Sequence, residues 1–278
     1  MSYCKTYFYT FVLTMLDINK IYLTDVFSMI DMIPDNSIDL VISDGPYGIT
    51  DHEWDKVNSI QEFNLQIIKI FSNKLKKGGA LYLFGKPDCI DFIDYRPYLH
   101  LQAKIVWYQP SRLAQGKTNY TNNYDLICYF TKGDKPKTFN LDDIRVPQLV
   151  DLNHRMRCEN VPSVRNGKYQ KTKYNDKGKN PGDVWGDIKQ LTYKSKELLS
   201  RDTLHTIQKP EKLMKRIILA NSNAGEIVLD PFCGTGTVPA VARRLGRFFI
   251  AFEKNPDMYN IAIHRLQRVE EEMKSQLF

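Results

Sequence analysis

The stretch Val41-Ile42-Ser43-Asp44-Gly45-Pro46-Tyr47 sets a carboxylate, a turn and an aromatic ring directly after a segment that has the pattern of a buried strand. This set of side chains suits a planar ring that carries an amino group, although Asp44 to Tyr47 alone also fits an ordinary β-turn. A second apolar strand, Val228 to Asp230, runs into a glycine loop that ends at Thr237 and then into a helix. Two sites at strand ends of one sheet favour an enzyme with two ligands.

Length and composition limit the class of protein. A chain of 278 residues, 42% of them hydrophobic, can bury a large core as one domain or as one domain with an insertion. The net charge of +7 is compatible with a polyanionic partner but does not require one. Five scattered cysteines, without a CxxC pair or clustered histidines, predict reduced thiols, a cytoplasmic location and no metal site. The apolar stretch Tyr7 to Leu16 is shorter than the roughly 20 residues of a membrane span, so no membrane partner is expected.

Apolar periodicity predicts an alternation of strands and helices, which is typical of an α/β fold. Strands are predicted at Lys20–Leu23, Ile38–Ser43, Ala80–Phe84, Ala103–Trp107, Asp125–Phe130, Ile227–Asp230 and Phe248–Phe252. Helices are predicted at Asp25–Met32, Phe63–Leu75, Pro210–Ala220, Val238–Leu245 and Pro256–Lys274. The second helix is predicted to end in Lys76-Lys77-Gly78-Gly79, because cations suit the last turn of a helix and glycine suits the residue beyond it.

The segment 109–203 has a different composition, rich in Asn, Lys, Arg, Tyr, Gly and Pro, which is typical of loops mounted on a scaffold. Within it, six cations stand against the single acid Asp176, with Tyr169 and Tyr174 between them. These residues form either a solvated loop or a loop that contacts phosphates and stacks on bases. The candidate DNA-binding residues are Arg165, Lys168, Lys171, Lys173, Lys177 and Lys179.

The glycine loop after Asp230 favours S-adenosylmethionine as one ligand. Gly234 and Gly236 let a ligand approach backbone N–H groups at a helix N-terminus. Glu253, about 20 residues further on, suits the two hydroxyls of a ribose. A nicotinamide dinucleotide would use the same elements, but the loop is not GxGxxG. The Asp230 carboxylate would also repel a pyrophosphate and attract a cationic sulfonium.

Several stretches together resemble the β class of amino-group DNA methyltransferases. Asp44-Gly45-Pro46-Tyr47 is similar to the DPPY motif of that family, and Asp230 to Thr237 is similar to its DPF-x-GxGT cofactor loop. His205 to Pro210 is close to HPTQKP, and Leu245 to Glu253 is close to LGRRFIGIE. Phe139 to Pro147 resembles the matching stretch of one adenine-specific member. The catalytic motif comes first, then the basic region and then the cofactor loop, which is the order of this class and a circular permutation of the usual methyltransferase order.

The resemblance implies a Rossmann-like fold of S-adenosylmethionine-dependent methyltransferases. Three αβα layers would contain a mostly parallel, seven-stranded sheet, with a loop-rich target-recognition insert. The implied divisions are an N-terminal extension at 1–14, the catalytic half of the core at 15–108, the insert at 109–203 and the S-adenosylmethionine-binding half at 204–278. The implied partners are DNA, a restriction endonuclease with the same target site and a second copy of the chain.

The resemblance also implies the roles of the site residues. Asp44, Gly45, Pro46 and Tyr47 would catalyse methyl transfer to the exocyclic amine of an extruded adenine. We expect the Asp44 carboxylate and the Gly45 carbonyl to accept the N–H bonds of the amine, and Tyr47 to stack on the base. The residues assigned to the cofactor are Asp25, Asp44, His205, Thr206, Lys209, Pro210, Asp230, Phe232, Cys233, Gly234, Thr235, Gly236, Thr237, Glu253 and Lys254.

Two positions depart from the family motifs. Gly45 stands where the family usually has a proline. The glycine would free the backbone at the carbonyl that faces the amine. Thr206-Ile207 stands where HPTQKP has its first proline and its threonine. The remaining alternatives are cytosine N4, for which serine more often stands at the position of Asp44, an RNA or protein amine, and a non-catalytic nucleic-acid binder.

Overall fold

A computed structural model of the chain describes residues 16–48, 55–110, 118, 120–148, 162–165, 168–171, 175–192, 194–199 and 208–275. Its strands are β1 (Lys20–Leu23), β2 (Ile38–Ser43), β3 (Leu75–Gly85), β4 (His100–Tyr108), β5 (Tyr124–Thr131), β6 (Pro162–Arg165), β7 (Lys168–Lys171), β8 (Val184–Trp185), β9 (Ile227–Asp230) and β10 (Phe248–Glu253). Its α-helices are α1 (Ile60–Lys74), α2 (Leu141–Ile144), α3 (Glu211–Asn221), α4 (Thr237–Arg244) and α5 (Pro256–Ser275).

One sheet of eight strands, in the order β1-β10-β9-β2-β3-β5-β4-β8, forms the centre of the fold. The first five strands of that order are mutually parallel, whereas β5 is antiparallel to both of its neighbours, β3 and β4. The carboxyl ends of the five parallel strands therefore lie at one edge of the sheet, which we call the carboxyl edge. The start of β5 and the end of β4 reach the same edge. That this order arose by circular permutation stays a prediction.

Two hydrophobic cores lie on opposite faces of the sheet. All six residues of β2 are buried, as expected for a central parallel strand that is covered on both faces. Because successive side chains of a strand point to opposite faces, Leu40 and Ile42 join one core and Val41 joins the other. The first core contains buried side chains of α3, α4 and α5, and the second contains those of α1. The predicted three-layer αβα arrangement is confirmed.

The structure differs from the sequence prediction at three elements. The segment Asp25–Met32 forms two 3₁₀ helices, Val26–Ser28 and Ile30–Met32, because the Asp25 side chain caps the first turn and Met29, at φ −126°, interrupts the helical backbone. The residues Lys76 to Gly79 belong to β3 and not to the end of a helix, since α1 ends at Lys74. The sheet has an eighth strand, β8, which extends it beyond β4.

The segment 109–203 contains strands of the main sheet as well as loops. Strand β5 pairs with β3 and β4, and β8 pairs with β4, so both contribute to the core. Strands β6 and β7 form a separate antiparallel hairpin. The predicted N-terminal extension at 1–14 lies outside the described residues. No helix in the described ranges is long and apolar enough to cross a bilayer.

Candidate active site

Two neighbouring cavities open at the carboxyl edge. The larger has a volume of about 440 Å³ and the smaller about 210 Å³. Both lie where β2 and β9 end, which is the position at which open α/β sheets bind their ligands. Their common wall consists of Asp44, Gly45, Phe232 and Gly234. An atom at this wall is within reach of an occupant of either cavity.

Asp44 follows the last residue of β2 and is held by two donors. Its Oδ1 accepts hydrogen bonds from the Tyr47 hydroxyl at 2.8 Å and from Lys209 Nζ at 2.9 Å. Its Oδ2 lies 2.7 Å from the same Lys209 Nζ. The side chains of Lys209 and Asp44 are only 12% and 21% exposed. The carboxylate is therefore fixed and charge-balanced, with lone pairs left for one more donor.

Tyr47 lines the larger cavity together with Asp44. Burial raises the pKa of its hydroxyl well above the ordinary value, and the carboxylates of Asp44 and Asp125 raise it further. The hydroxyl therefore stays protonated and keeps donating to Asp44. The backbone N–H groups of Tyr47 and Gly48 both donate to Oδ1 of the buried Asp55, the second over 2.9 Å. These two bonds fix the turn that carries the ring.

Gly45 lies directly against the aromatic ring of Phe232. A Cβ at this position would lie 3.0 Å from both Cδ2 and Cε2 of that ring, and the ring is backed by Phe63 at a centroid distance of 5.9 Å. The φ of Gly45 is not positive, so other residues could adopt its backbone conformation. The glycine serves a close approach between the two motifs and does not supply an unusual backbone conformation.

The loop between β9 and α4 is built by close approaches of the backbone. Gly236 has φ +76°, and a Cβ there would lie 2.9 Å from the Cβ of Ala262 in α5, so a side chain would be both strained and crowded. Asp230, at the end of β9, accepts a hydrogen bond from the Phe232 N–H at 3.2 Å. Burial raises the pKa of Asp230 well above its ordinary value, although the Phe232 N–H lowers it. A cation placed beside this buried carboxyl would favour its ionised form.

Glu253 ends β10 and forms part of the smaller cavity. Its two oxygens accept hydrogen bonds from the N–H groups of Gly234 at 2.7 Å and Asn255 at 2.8 Å. Burial raises the pKa of Glu253, while these N–H groups oppose the rise. The bonds fix the orientation of the carboxylate and leave further lone pairs for a ligand with hydroxyl groups.

Most of the site residues predicted from the sequence come together at the two cavities. The predicted residues that line the larger cavity are Asp44, Gly45, Tyr47, Lys209, Asp230, Phe232, Cys233, Gly234, Thr235 and Thr237. Those that line the smaller cavity are Asp25, Asp44, Gly45, Pro46, Phe232, Gly234, Glu253 and Lys254. Pro210 and Gly236 line neither cavity, because they cap α3 and α4. His205 and Thr206 lie outside the described residues.

The sequence reasoning missed the far wall of the larger cavity, which is formed by Lys86, Trp107, Gln109 and Asp125. Lys86 directly follows β3 and was detectable by the same strand-end rule that identified Asp44. The other three residues come from the hairpin of β4 and β5, whose antiparallel direction the sequence does not reveal. Cys233 is buried, and burial raises the pKa of its thiol well above the ordinary value, which fits a packed residue.

The six candidate DNA-binding residues lie outside both cavities or outside the described side chains. Arg165, Lys168 and Lys171 belong to the β6–β7 hairpin, where Arg165 pairs with Lys168. Lys177 forms an ion pair of 2.8 Å with Asp142, and Lys179 forms a backbone bridge with Val146. Lys173 is not among the described residues. In the parts of the chain that the structure describes, no group of His, Cys, Asp and Glu side chains could hold a metal ion.

Solved structures of similar fold include DNA methyltransferases. The M1.HpyAVI–SAM complex has a TM-score of 0.57 and 21% sequence identity, over 89% of this chain and 98% of that chain. The cytosine-N4-specific PvuII DNA methyltransferase has a TM-score of 0.62 and 17% identity, over 92% of both chains. At these identities the similarity establishes the fold.

Sequence comparisons give closer relationships. The chain is 32% identical over 266 residues to the type II methyltransferase M1.MboII of Moraxella bovis, covering 92% of this chain and 99% of that protein. It is 34% identical over 255 residues to the DNA adenine methyltransferase YhdJ of Escherichia coli, covering 87% and 80% respectively. Residues 38–264 match the family N6_N4_Mtase, described as DNA methylase. The chain therefore belongs to the N6/N4 family of DNA methylases.

Proposed function

We propose that the chain is a site-specific DNA adenine N6-methyltransferase that uses S-adenosylmethionine. The observation that supports this most is the common wall of the two cavities, where the Asp44 carboxylate borders both. A methyl donor that reaches from the smaller cavity across this wall, and a base held in the larger cavity, would meet at this group. Adenine is favoured by the aspartate at position 44 and by relatives such as YhdJ, which is named an adenine methyltransferase.

The residues at the smaller cavity and the β9–α4 loop suit S-adenosylmethionine. Glu253 is oriented to accept hydroxyls of a ribose, and the apolar side chains of Phe27, Phe252 and Met258 suit an adenine ring. The buried Asp230 carboxyl lies in the larger cavity, where it suits the cationic end of the same molecule. When bound, this cofactor supplies an electrophilic methyl group on a sulfonium.

The chain's own residues would prepare the amine for attack. An exocyclic amine is a poor nucleophile, because its lone pair is delocalised into the ring. Hydrogen bonds from the amine to the Asp44 carboxylate and to the Gly45 carbonyl would favour a pyramidal nitrogen, whose lone pair is available. This stabilisation increases as the nitrogen becomes positive, so it acts on the transition state. Tyr47 would hold the base by stacking.

The position of Lys209 limits how the amine can bind to Asp44. Its ammonium and the Tyr47 hydroxyl already donate to Asp44. The amine must therefore use the remaining lone pairs of the carboxylate or displace Lys209. The lysine also neutralises Asp44, which lowers the cost of burying the carboxylate.

The test is sequencing of modified bases in DNA from bacteria that express the protein. N6-methyladenine at one short sequence, absent from cells that express the Asp44→Ala variant, is the expected result. N4-methylcytosine at a defined site would show that the substrate base is cytosine and not adenine. Unmodified DNA in expressing cells would contradict both assignments. A bacterial DNA substrate also implies reaction in the cytoplasm.

Relatives that are type II methyltransferases suggest a restriction-modification role for this chain. We propose a cognate endonuclease with the same target site and a homodimer as the candidate assemblies. DNA carrying the modification should resist an endonuclease that cuts the identified site, and unmodified DNA should be cut.

Glu253→Ala should weaken S-adenosylmethionine binding by about 1 to 3 kcal/mol, because charge-assisted hydrogen bonds to the ribose are lost. Isothermal titration calorimetry measures this directly. Glu253→Gln is the matched variant, since its amide oxygen can still accept from Gly234 or Asn255. Because burial raises the pKa of Glu253, the wild-type advantage over Glu253→Ala should shrink as the pH falls through that raised pKa. Unchanged affinity in both variants would place the ribose elsewhere.

Neutralising Lys168, Lys171 and Lys173 together, as glutamines, should weaken DNA binding and flatten its salt dependence. Each lost phosphate contact lowers the log–log slope by about 0.9. The control variant replaces three other lysines by glutamine, so its net charge changes by the same amount. These lysines, Lys20, Lys77 and Lys135, are exposed and lie near the opposite edge of the sheet. Fluorescence anisotropy at several salt concentrations compares the two. If both triple variants bind DNA alike, Lys168, Lys171 and Lys173 do not contact DNA.

A further inference from the structure

The far wall of the larger cavity contains a charged network that the mechanism above does not use. Oδ1 of Asp125 accepts from Lys86 Nζ at 3.0 Å, and its Oδ2 accepts from Gln109 Nε2 at 2.7 Å. Lys86 Nζ also lies 5.5 Å from the centroid of the Tyr47 ring. The network therefore borders the aromatic ring on which a base would stack, and its three residues line the larger cavity and not the smaller one.

This network is costly to bury. The side chain of Asp125 is 4% exposed, Gln109 as a whole is also 4% exposed, and the side chain of Lys86 is 22% exposed. A buried ion pair contributes little net stability, because the desolvation of both charges offsets their attraction. Because the ion pair of Lys86 and Asp125 lines the larger cavity, a role in ligand recognition explains it better than a role in stability. Of the three N–H donors of Lys86, one is directed to Asp125, the only hydrogen-bond acceptor it has among the described residues.

We propose that Lys86, held in place by Asp125, is a base-recognition residue that donates a hydrogen bond to a ring nitrogen of the extruded base. The inference rests on the proposed function and adds the means by which the base is chosen. In adenine and cytosine the ring nitrogen beside the amine carbon, N1 and N3 respectively, is unprotonated, whereas guanine N1 and thymine N3 carry an N–H at the corresponding position. Asp44 accepts a hydrogen bond from the amine, and Lys86 donates one to the ring nitrogen. The two residues together therefore fit adenine or cytosine and disfavour guanine and thymine, which carry a carbonyl oxygen and a ring N–H at these positions.

Gln109 has a supporting part in this arrangement. Its amide donates to the second oxygen of Asp125, and its own backbone N–H donates to the carbonyl of Asn123 over 2.7 Å. Asp125 thus has a donor on each oxygen and cannot swing toward the base. The carboxylate anchors the ammonium and does not itself compete for the amine.

The experiment measures kcat/KM on duplexes that contain the site identified by sequencing. The target adenine is replaced by 1-deazaadenine, which lacks the ring nitrogen beside the amine carbon, or by 7-deazaadenine, which keeps that nitrogen and serves as the control analogue. Wild-type enzyme should lose about 10- to 100-fold on 1-deazaadenine, the range expected for a charge-assisted hydrogen bond, and much less on 7-deazaadenine. Lys86→Met should lose a similar factor on adenine and no further factor on 1-deazaadenine, because the contact is already absent.

The matched control is Lys76→Met. Lys76 stands near the other end of β3 and also pairs with a buried aspartate, Asp39, at 2.7 Å. This variant should keep the wild-type ratio between adenine and the analogues even if it is less stable, and Lys86→Arg should recover part of the activity. If wild type is indifferent to 1-deazaadenine, or if Lys86→Met keeps the full penalty on that analogue, Lys86 does not contact this ring nitrogen. A wild type that methylates no adenine overturns the proposed function instead.

Discussion

Asp44→Ala is expected to lower the rate of methyl transfer by about 10³-fold or more, while S-adenosylmethionine binding changes much less. The magnitude follows from the loss of an oriented group that stabilises charge developing on the amine nitrogen. The Asp44 side chain lies on the wall that both cavities share, where the amine would lie. The substitution should therefore act mainly on the chemical step. Single-turnover transfer of a labelled methyl group to DNA measures the rate, and calorimetry measures the cofactor affinity.

Asp44→Asn separates the loss of charge from the loss of volume. The asparagine fills the same space and can accept from Lys209 or Tyr47, so the turn should stay folded. Thermal unfolding of both variants controls for stability, because either leaves the little-exposed Lys209 ammonium without its ion pair. Wild-type activity of Asp44→Ala on a methylatable duplex would remove Asp44 from the mechanism, whereas wild-type activity of Asp44→Asn alone would remove only the need for its charge.

Tyr47→Ala is expected to lower kcat/KM by about 10²-fold, because base–aromatic stacking contributes roughly 1 to 3 kcal/mol. Tyr47→Phe keeps the ring face but loses the hydroxyl, which donates to Asp44 at 2.8 Å. We expect a loss of less than about tenfold for that variant, since one hydrogen bond among several is removed. Steady-state kinetics on the same duplex compares the two, and equal losses would mean that the hydroxyl matters more than stacking.

The sequence predicted the parts of the site that depend on parallel strands. Asp44, Asp230 and Glu253 each lie at the end of a strand with a clear apolar pattern, and parallel strands end at one edge by geometry alone. The family resemblance then supplied the chemistry. The order of the strands could not be derived from local pattern, because it depends on which buried strands pair over long sequence separations.

The sequence could not predict that Gln109 and Asp125 belong to the far wall of the larger cavity. Asp125 is near the start of β5 and Gln109 directly follows β4, so they share an edge only because β5 runs antiparallel to β4. The helix predicted at Asp25–Met32 was wrong for a different reason. It is too short for α-helical propensity to decide its form, and the Asp25 cap favours a tight 3₁₀ turn.

The packing of Phe232 on Gly45 has a thermodynamic consequence for the two cavities. The ring and the glycine belong to a wall that both cavities share. An occupant that shifts this ring on one side changes the shape available on the other. The affinities of the two ligands are then linked by a single coupling free energy, and thermodynamic reciprocity requires that each ligand alters the affinity of the other by the same factor.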